Sequence, residues 1–278
     1  MTRHITLLLC LAACVTGAAA ATDPAPSGAE HLPLDEYERK DFSQFGEDGV
    51  IDRIFQIIEP TSRFIVEFGA HDGITNSNAR NLVLAHQWGA FLIEGDHKRA
   101  TALQAAYKDR PRVTTLEAWV FPGNIEILFE DHGVPKDLDF LVVDIDSNDY
   151  YVWRAIHEYR PKVVMIEANH MFPPPQLMVI DFHPMNYWDH TAYTGASLQS
   201  MYNLAKQKGY ELIHCMRRGP NAFFVDQQYY ARFGIADNTP IKMFRRQPDT
   251  KPWPLMPKGR ENLVVRGFTI KKQYLHNR

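Results

Sequence analysis

Apolar residues along this chain fall into two spacings that take turns. Between Ser43 and Ile58, Val50, Ile51, Ile54, Phe55 and Ile58 recur at helical intervals. Residues 64–68 then read as a strand and 78–87 as a helix. Further strands are predicted over 90–94, 113–120, 139–146 and 162–169. Helical patterns over 97–107, 124–131 and 150–159 separate them. The segments DFLVVDID and KVVMIEAN are almost continuously apolar instead of alternating. Runs of this kind, with helices between them, predict a parallel sheet covered on both faces.

After Asn169 the rhythm stops. Residues 170–195 carry MFPPP, HPMNYWDH and YTG without any period. An irregular insert just past a central strand is expected over the carboxyl edge of the sheet, where ligands bind. A helix follows over 196–209, capped by Ser197 or the residue before it and stopped by Gly209. YELIHCM and NAFFVD flank the turn-rich Arg217-Arg218-Gly219-Pro220, which predicts an antiparallel pair. The expectation is one α/β domain over 41–235 with a mostly parallel seven-stranded sheet and a C-terminal antiparallel β-hairpin. No internal repeat is present.

Candidate chemistry sits where the predicted strands end. In IVEFGAHDGIT the glycines are Gly69 and Gly73, so the G-x-G-x-x-G spacing of a dinucleotide loop fails at His71 and Ile74. What stands there is Glu67-x-Gly69-x-x-x-Gly73. The next predicted strand ends in Glu94, about 25 residues beyond Gly69, where an acid can accept both hydroxyls of a ribose. Capping of neighbouring helices is the plainer role for Glu67 and Glu94. The fourth strand ends in DIDSND. Asp144 and Asp146 are candidates for a general base or a divalent-cation site, with one acid of Asp144, Asp146 and Asp149 expected to serve only the following helix. Glu167 and His170, ending the fifth strand, would complete a polar rim. His183 and His190 in the insert are weaker candidates.

The Glu-x-Gly-x-x-x-Gly turn resembles the first motif of class I S-adenosylmethionine-dependent methyltransferases, which have a Rossmann-like fold. SQFGEDGVIDRIF, VEFGAHDGITNSNARNL, LIEGD, DIDSNDYYVW, RPKVVMIEAN, GASL and NAFFV together resemble the FkbM-like methyltransferase family across residues 42–225. That resemblance implies S-adenosylmethionine as cofactor, with Gly69, Ala70, His71 and Gly73 approaching its methionine and ribose and Glu67 meeting its cationic end or a bound water. It also implies that Glu94 holds the ribose, that Ala118 and Trp119 lie near the adenine, and that a hydroxyl of a sugar or other metabolite is the methyl acceptor. The chain departs from the family at DIDSND, where many relatives carry Asp-x-Glu-Gly, so the base and metal roles of Asp144 and Asp146 do not transfer directly.

Composition narrows the partners. The net charge of −3 argues against a nucleic-acid binder. From Lys242 to Arg278, however, ten Lys or Arg face only Asp249 and Glu261, a basic extension (236–278) able to lie on an anionic membrane surface. The N-terminus has Arg3 and His4, an apolar run from Ile5 to Val15, then Ala18-Ala19-Ala20. This predicts a signal peptide over 1–21 and export, followed by a linker over 22–40. LAAC at 11–14 also reads as a lipoprotein box with Cys14 as the lipidated residue. A misassigned start would leave the protein cytoplasmic. Cys215, alone in the remaining chain, reads as inert core. Two functions follow from these readings: an O-methyltransferase for a glycan or other polar small molecule, or an exported, divergent member of the fold that binds a polar or carbohydrate ligand.

Overall fold

The apolar runs become strands whose alternate residues serve two separate cores. A computed structural model describes residues 33–246; the predicted signal segment with Cys14 and most of the basic extension lie outside the described residues. In chain order the elements are α1 (Glu47–Ile58), β1 (Phe64–Phe68), α2 (Arg80–Ala85), β2 (Gly89–Glu94), α3 (His97–Tyr107) and β3 (Val113–Glu117). They continue as α4 (Ile125–Asp131), β4 (Phe140–Val143), α5 (Asp149–Ala155), β5 (Val163–Glu167), α6 (Leu198–Lys208), β6 (Tyr210–Cys215), β7 (Asn221–Asp226) and α7 (Pro240–Met243). The sheet order is β3-β2-β1-β4-β5-β7-β6. Strands β1 to β5 are parallel, and β7 runs antiparallel to both β5 and β6. This is the Rossmann-like class I methyltransferase fold expected from the sequence.

Continuous apolarity in β4 and β5 has a direct cause. Leu141, Val143, Val164 and Ile166 pack with α4, α5 and α6, while Phe140, Val142, Val163 and Met165 pack with α1, α2 and α3. With both faces buried, no position is left for a solvent-facing residue. Asp139, fully buried just before β4, accepts from the N–H groups of Thr61 and Arg63 and the Ser62 hydroxyl, and pairs with Lys162 at 3.1 Å. It ties together the amino ends of β1, β4 and β5.

Both predicted boundaries of the domain are too narrow. Residues 33–40, assigned to a linker, pack on the sheet: Leu34 is 1% exposed, and Glu38 pairs with buried His214 and with Arg217. Arg245, counted in the basic extension, is buried and pairs with Asp35 at 3.2 Å. Among the described residues no helix is long and apolar enough to cross a membrane.

Candidate active site

Strand order reverses between β1 and β4, whose outer neighbours β2 and β5 lead in opposite directions, and ligands of open α/β sheets bind beyond the carboxyl ends at such a point. A cavity of about 610 Å³ opens there. Its floor is the β1 turn. Gly69 has φ +80, and a Cβ on it would lie 1.6 Å from the Asp144 carbonyl oxygen, so only glycine lets the β1 and β4 turns touch. Gly73, at φ +69, leaves the space taken by Leu103 and Tyr107 of α3, and the Tyr107 hydroxyl donates to its carbonyl at 2.8 Å.

Apart from that of Asp72, the N–H groups of this turn are engaged within the protein. Gly69 and Ala70 donate to the Ile93 carbonyl at 3.0 and 3.1 Å, Gly73 to that of Ala70, and His71 to Glu94 Oε2 at 2.9 Å. Ile74 and Thr75 donate to Asp72, whose carboxyl they hold down at about 2 although burial works against it. No nest of free donors is left for a phosphate. Glu94 also accepts the Asp96 N–H on Oε1 at 2.8 Å, so one backbone donor reaches each oxygen and acceptor capacity remains on both.

Glu67 is placed differently from Glu94. It is 3% exposed and accepts from the Asn78 N–H and side-chain amide, the Ala79 N–H and the Ser77 hydroxyl at 2.9–3.2 Å. Burial raises its pKa against the pull of these donors. It borders the cavity, but its lone pairs point chiefly at the residues leading into α2. Helix α2 consequently begins at Arg80 and not at Asn78.

Beyond β2, the Ala118 N–H donates to the Glu94 carbonyl, and Trp119 lies over Gly95, where a Cβ would come within 2.6 Å of the indole. Trp119 is 62% exposed and lines the cavity with Ala118. Strand β3 thus stops at Glu117, short of the predicted Val120.

The chain leaves β4 at Asp144, earlier than predicted. Asp146 takes φ +63, a left-handed conformation that Asp tolerates better than most residues. Asp149 turns back to accept from the N–H groups of Ile145 and Ser147, both at 2.9 Å, and burial pushes its carboxyl up to about 7. Asp149 is thus the acid that serves the turn. Asp144 and Asp146 open on the cavity with Glu167 of β5, and one oxygen from each lies within 4.8 Å of the others. Burial first, then repulsion from neighbouring acids, holds Asp144 and Glu167 well above the usual carboxylate range. Burial also raises Asp146, against Arg99 and His190.

The insert stands where the sequence places it, as a wall over this edge. Asn169 donates through its side-chain amide to the carbonyls of Ala192 and Thr194, both at 2.8 Å. Thr194 Oγ1 donates to the Asp146 carbonyl at 2.7 Å, and Asn148 Nδ2 to that of His183. Pro184, Asn186, Tyr187, Trp188 and His190 line the cavity. His170 does not. It is half-buried beside the insert, with its pKa lowered by burial. Sequence reasoning passed over Arg99, Asn148 and Asn221, which do line the cavity. Asn221 opens β7 opposite Glu167, a placement legible only once the hairpin's register on β5 is known.

No family model matches the chain, and no curated protein matches it. Solved structures similar to it include the citrinin polyketide synthase CMeT domain, at 11% identity and a TM-score of 0.41 over 66% of this chain and 51% of that one. The mitomycin 7-O-methyltransferase MmcR gives 13% and 0.36 over 64% and 55%. Fibrillarin of Aeropyrum pernix, solved with natively bound S-adenosyl-L-methionine, gives 12% and 0.40 over 60% and 68%. The match spans about half the length of the first two. At these values the likeness carries no inference about activity.

Proposed function

We propose that the chain is an S-adenosylmethionine-dependent O-methyltransferase of the FkbM-like kind, acting on a hydroxyl of a glycan or other polar metabolite. The observation that carries this reading is the charge of the switch-point cavity. Glu67, Glu94, Asp96, Asp144, Asp146 and Glu167 line it against a single Arg99, while all but one of the turn's N–H groups are engaged elsewhere. Such a cavity suits a ligand with cationic centres and hydroxyls and disfavours one bearing phosphates. S-adenosylmethionine brings a sulfonium and an ammonium and supplies the electrophilic methyl group. Glu94 would hold the ribose hydroxyls, the Gly69–Gly73 turn would lie under the methionine and ribose, and Ala118 with Trp119 would flank the adenine. Asp144 or Asp146, whose raised pKa suits proton transfer, would take the acceptor hydroxyl's proton directly as base, or the two would hold a cation that makes that hydroxyl more acidic. General-base help of this kind is worth about 10²–10⁴-fold in rate.

Titration calorimetry with S-adenosylmethionine and S-adenosylhomocysteine tests the reading, with micromolar affinity expected, on the order of −8 kcal/mol. Glu94→Ala should weaken binding by about 1.5–3 kcal/mol, the worth of hydrogen bonds to a charged group. No heat and no thermal shift with either ligand would count decisively against the proposal.

A further inference from the structure

We propose that Asp144, Asp146 and Glu167 form a binding site for a divalent cation, magnesium or manganese, in which Asn221 presents a further oxygen. Its role in catalysis rests on the methyl-transfer reading; its existence does not. The carboxylates come from the ends of adjacent parallel strands, β4 and β5, and converge because those strands pair in register from Phe140↔Val163 to Val143↔Ile166. With one oxygen of each within 4.8 Å of the others, the spacing suits a small ion. Two ligands of one magnesium ion at about 2.0–2.1 Å stand at most about 4.2 Å apart, and two of calcium at about 2.3–2.6 Å at most about 5.2 Å.

What distinguishes this cluster is the absence of hydrogen-bonded or ion-paired partners, Arg99 and His190 reaching Asp146 only through longer-range attraction. Among the described residues, no side chain or backbone group donates to the carboxylates of Asp144, Asp146 or Glu167, and none forms an ion pair with them. The other acid clusters in this fold are compensated. Asp35, Glu38 and His214 also converge, but Arg245 and Arg217 pair with the two acids. Asp139 has Lys162, and Glu67 has four donors. Carboxylates brought this close repel one another, Asp144 and Glu167 are half-buried as well, and a hard cation is the ligand that relieves the cost.

A second observation concerns neutral oxygens. Asn221 is 5% exposed and Asn148 is 3% exposed; both line the same cavity, and the Oδ1 of each is buried without a hydrogen-bond partner. Their identities are fixed, because the Asn221 amide nitrogen donates to Glu47 at 2.7 Å and that of Asn148 to the His183 carbonyl at 3.0 Å. Asn221 is register-paired with Glu167. The Asn221 oxygen, on the strand paired with Glu167, has no donor within the protein, and a cation would take a lone pair from it as from the carboxylates. All-oxygen donors select magnesium, manganese or calcium over softer metals. Positions left open on the ion would face the cavity, where an acceptor hydroxyl bound to it becomes more acidic.

The test is a titration of the full chain with manganese, followed through the paramagnetic resonance signal of free Mn²⁺, without S-adenosylmethionine. The expected result is one saturable site of micromolar affinity, competed by magnesium and weakened at least tenfold in Glu167→Gln and in Asp146→Asn. Glu117→Gln, a surface acid of β3 beyond this cavity, should leave the titration unchanged. Saturable binding absent up to millimolar manganese overturns the site, as does binding indifferent to both substitutions. Should the variants fail to fold, the wild-type melting temperature decides: manganese must raise it and chelator must reverse the rise, and no shift overturns the proposal. Calorimetry with S-adenosylhomocysteine in chelator keeps the two readings apart. Manganese binding without that ligand leaves the cation site standing and removes its catalytic role. The ligand binding without manganese removes the site alone.

Discussion

Glu67 offers the sharpest separation between holding the fold and holding a ligand. In Glu67→Gln one carboxylate oxygen becomes an NH₂ group. Placed toward Asn78, that group would face the backbone N–H at 2.9 Å, which cannot accept, and the side-chain amide at 3.2 Å, which can turn to accept through its unpartnered Oδ1. Placed on the other side it meets the Ser77 hydroxyl, which can rotate to accept, and the Ala79 N–H, which cannot. Either orientation leaves one buried backbone N–H unsatisfied, a loss of about 1–3 kcal/mol. Loss of negative charge partly offsets this, since burial already raises the Glu67 pKa. Taken at about 2–4 °C per kcal/mol, the melting temperature should fall by roughly 2–12 °C before that offset. Affinity for S-adenosylhomocysteine, measured calorimetrically well below the melting temperature, should change less than threefold, because the carboxylate's lone pairs point chiefly at residues 77–79. Thermal unfolding by circular dichroism beside that titration reads both quantities. An unchanged melting temperature with a tenfold or greater loss of affinity would refute the reasoning and return Glu67 to the ligand.

Three further outcomes follow from other parts of the molecule. Asp139→Ala leaves Lys162, which is 8% exposed, without its counter-charge and removes the acceptor of four backbone or hydroxyl donors, so denaturant unfolding should show a loss of about 3–5 kcal/mol with ligand affinity intact in the folded protein. Asp72 titrates near 2 in the fold and near 3.8 outside it, so its contribution is present above pH 3.8 and is lost as pH falls toward 2. The acid limb of a stability-versus-pH curve should therefore be shallower in Asp72→Asn, and an identical limb would contradict the assignment. The export proposed from residues 1–21 predicts, by intact mass of protein from its native host, a chain beginning near Ala20 or Ala21, or one carrying diacylglycerol on Cys14. A full-length species in the cytoplasmic fraction would end that proposal.

How much of this was legible in the sequence depended on whether the determining contact was local. Strand β1 and helix α3 match their predicted bounds, because the apolar run and the Asp96 cap, which accepts from the Arg99 N–H, are written within a few residues. Helix α6 likewise has Ser197 and Gly209 at its ends. Helix α5 was predicted to Tyr159 but ends at Ala155, since the N–H groups of His157 and Glu158 donate to Glu126 at 2.7 and 2.6 Å, a partner some thirty residues away. The pairing of Arg245 with Asp35, separated by 210 residues, likewise leaves no local trace, and both domain boundaries fell short for that reason. At the site, Asp144, Asp146 and Glu94 stood out because acids at strand ends are unusual. Asn148 and Asn221 did not, because a single asparagine beside a strand or helix has many ordinary uses.

The glycines that first drew attention prove the least discriminating part of the motif. Gly69 is required by the Asp144 carbonyl, and Gly73 by Leu103 and Tyr107, so both would be needed even if nothing entered the cleft. The pattern Glu-x-Gly-x-x-x-Gly thus describes how β1 turns beneath β4 and α3, and a fold that had lost its ligand could keep it unchanged. Glu67 belongs to the same internal group, through its hold on residues 77–79. The acids that no internal contact explains are Asp144, Asp146 and Glu167, together with the unfilled acceptor capacity of Glu94. Among them Asp144 and Glu167, half-buried and mutually repelling, carry a cost to stability that the architecture does not require. Groups of that kind persist where something outside the chain pairs with them. The case for a ligand at this switch point accordingly rests on its unpartnered oxygens and not on its glycine turn.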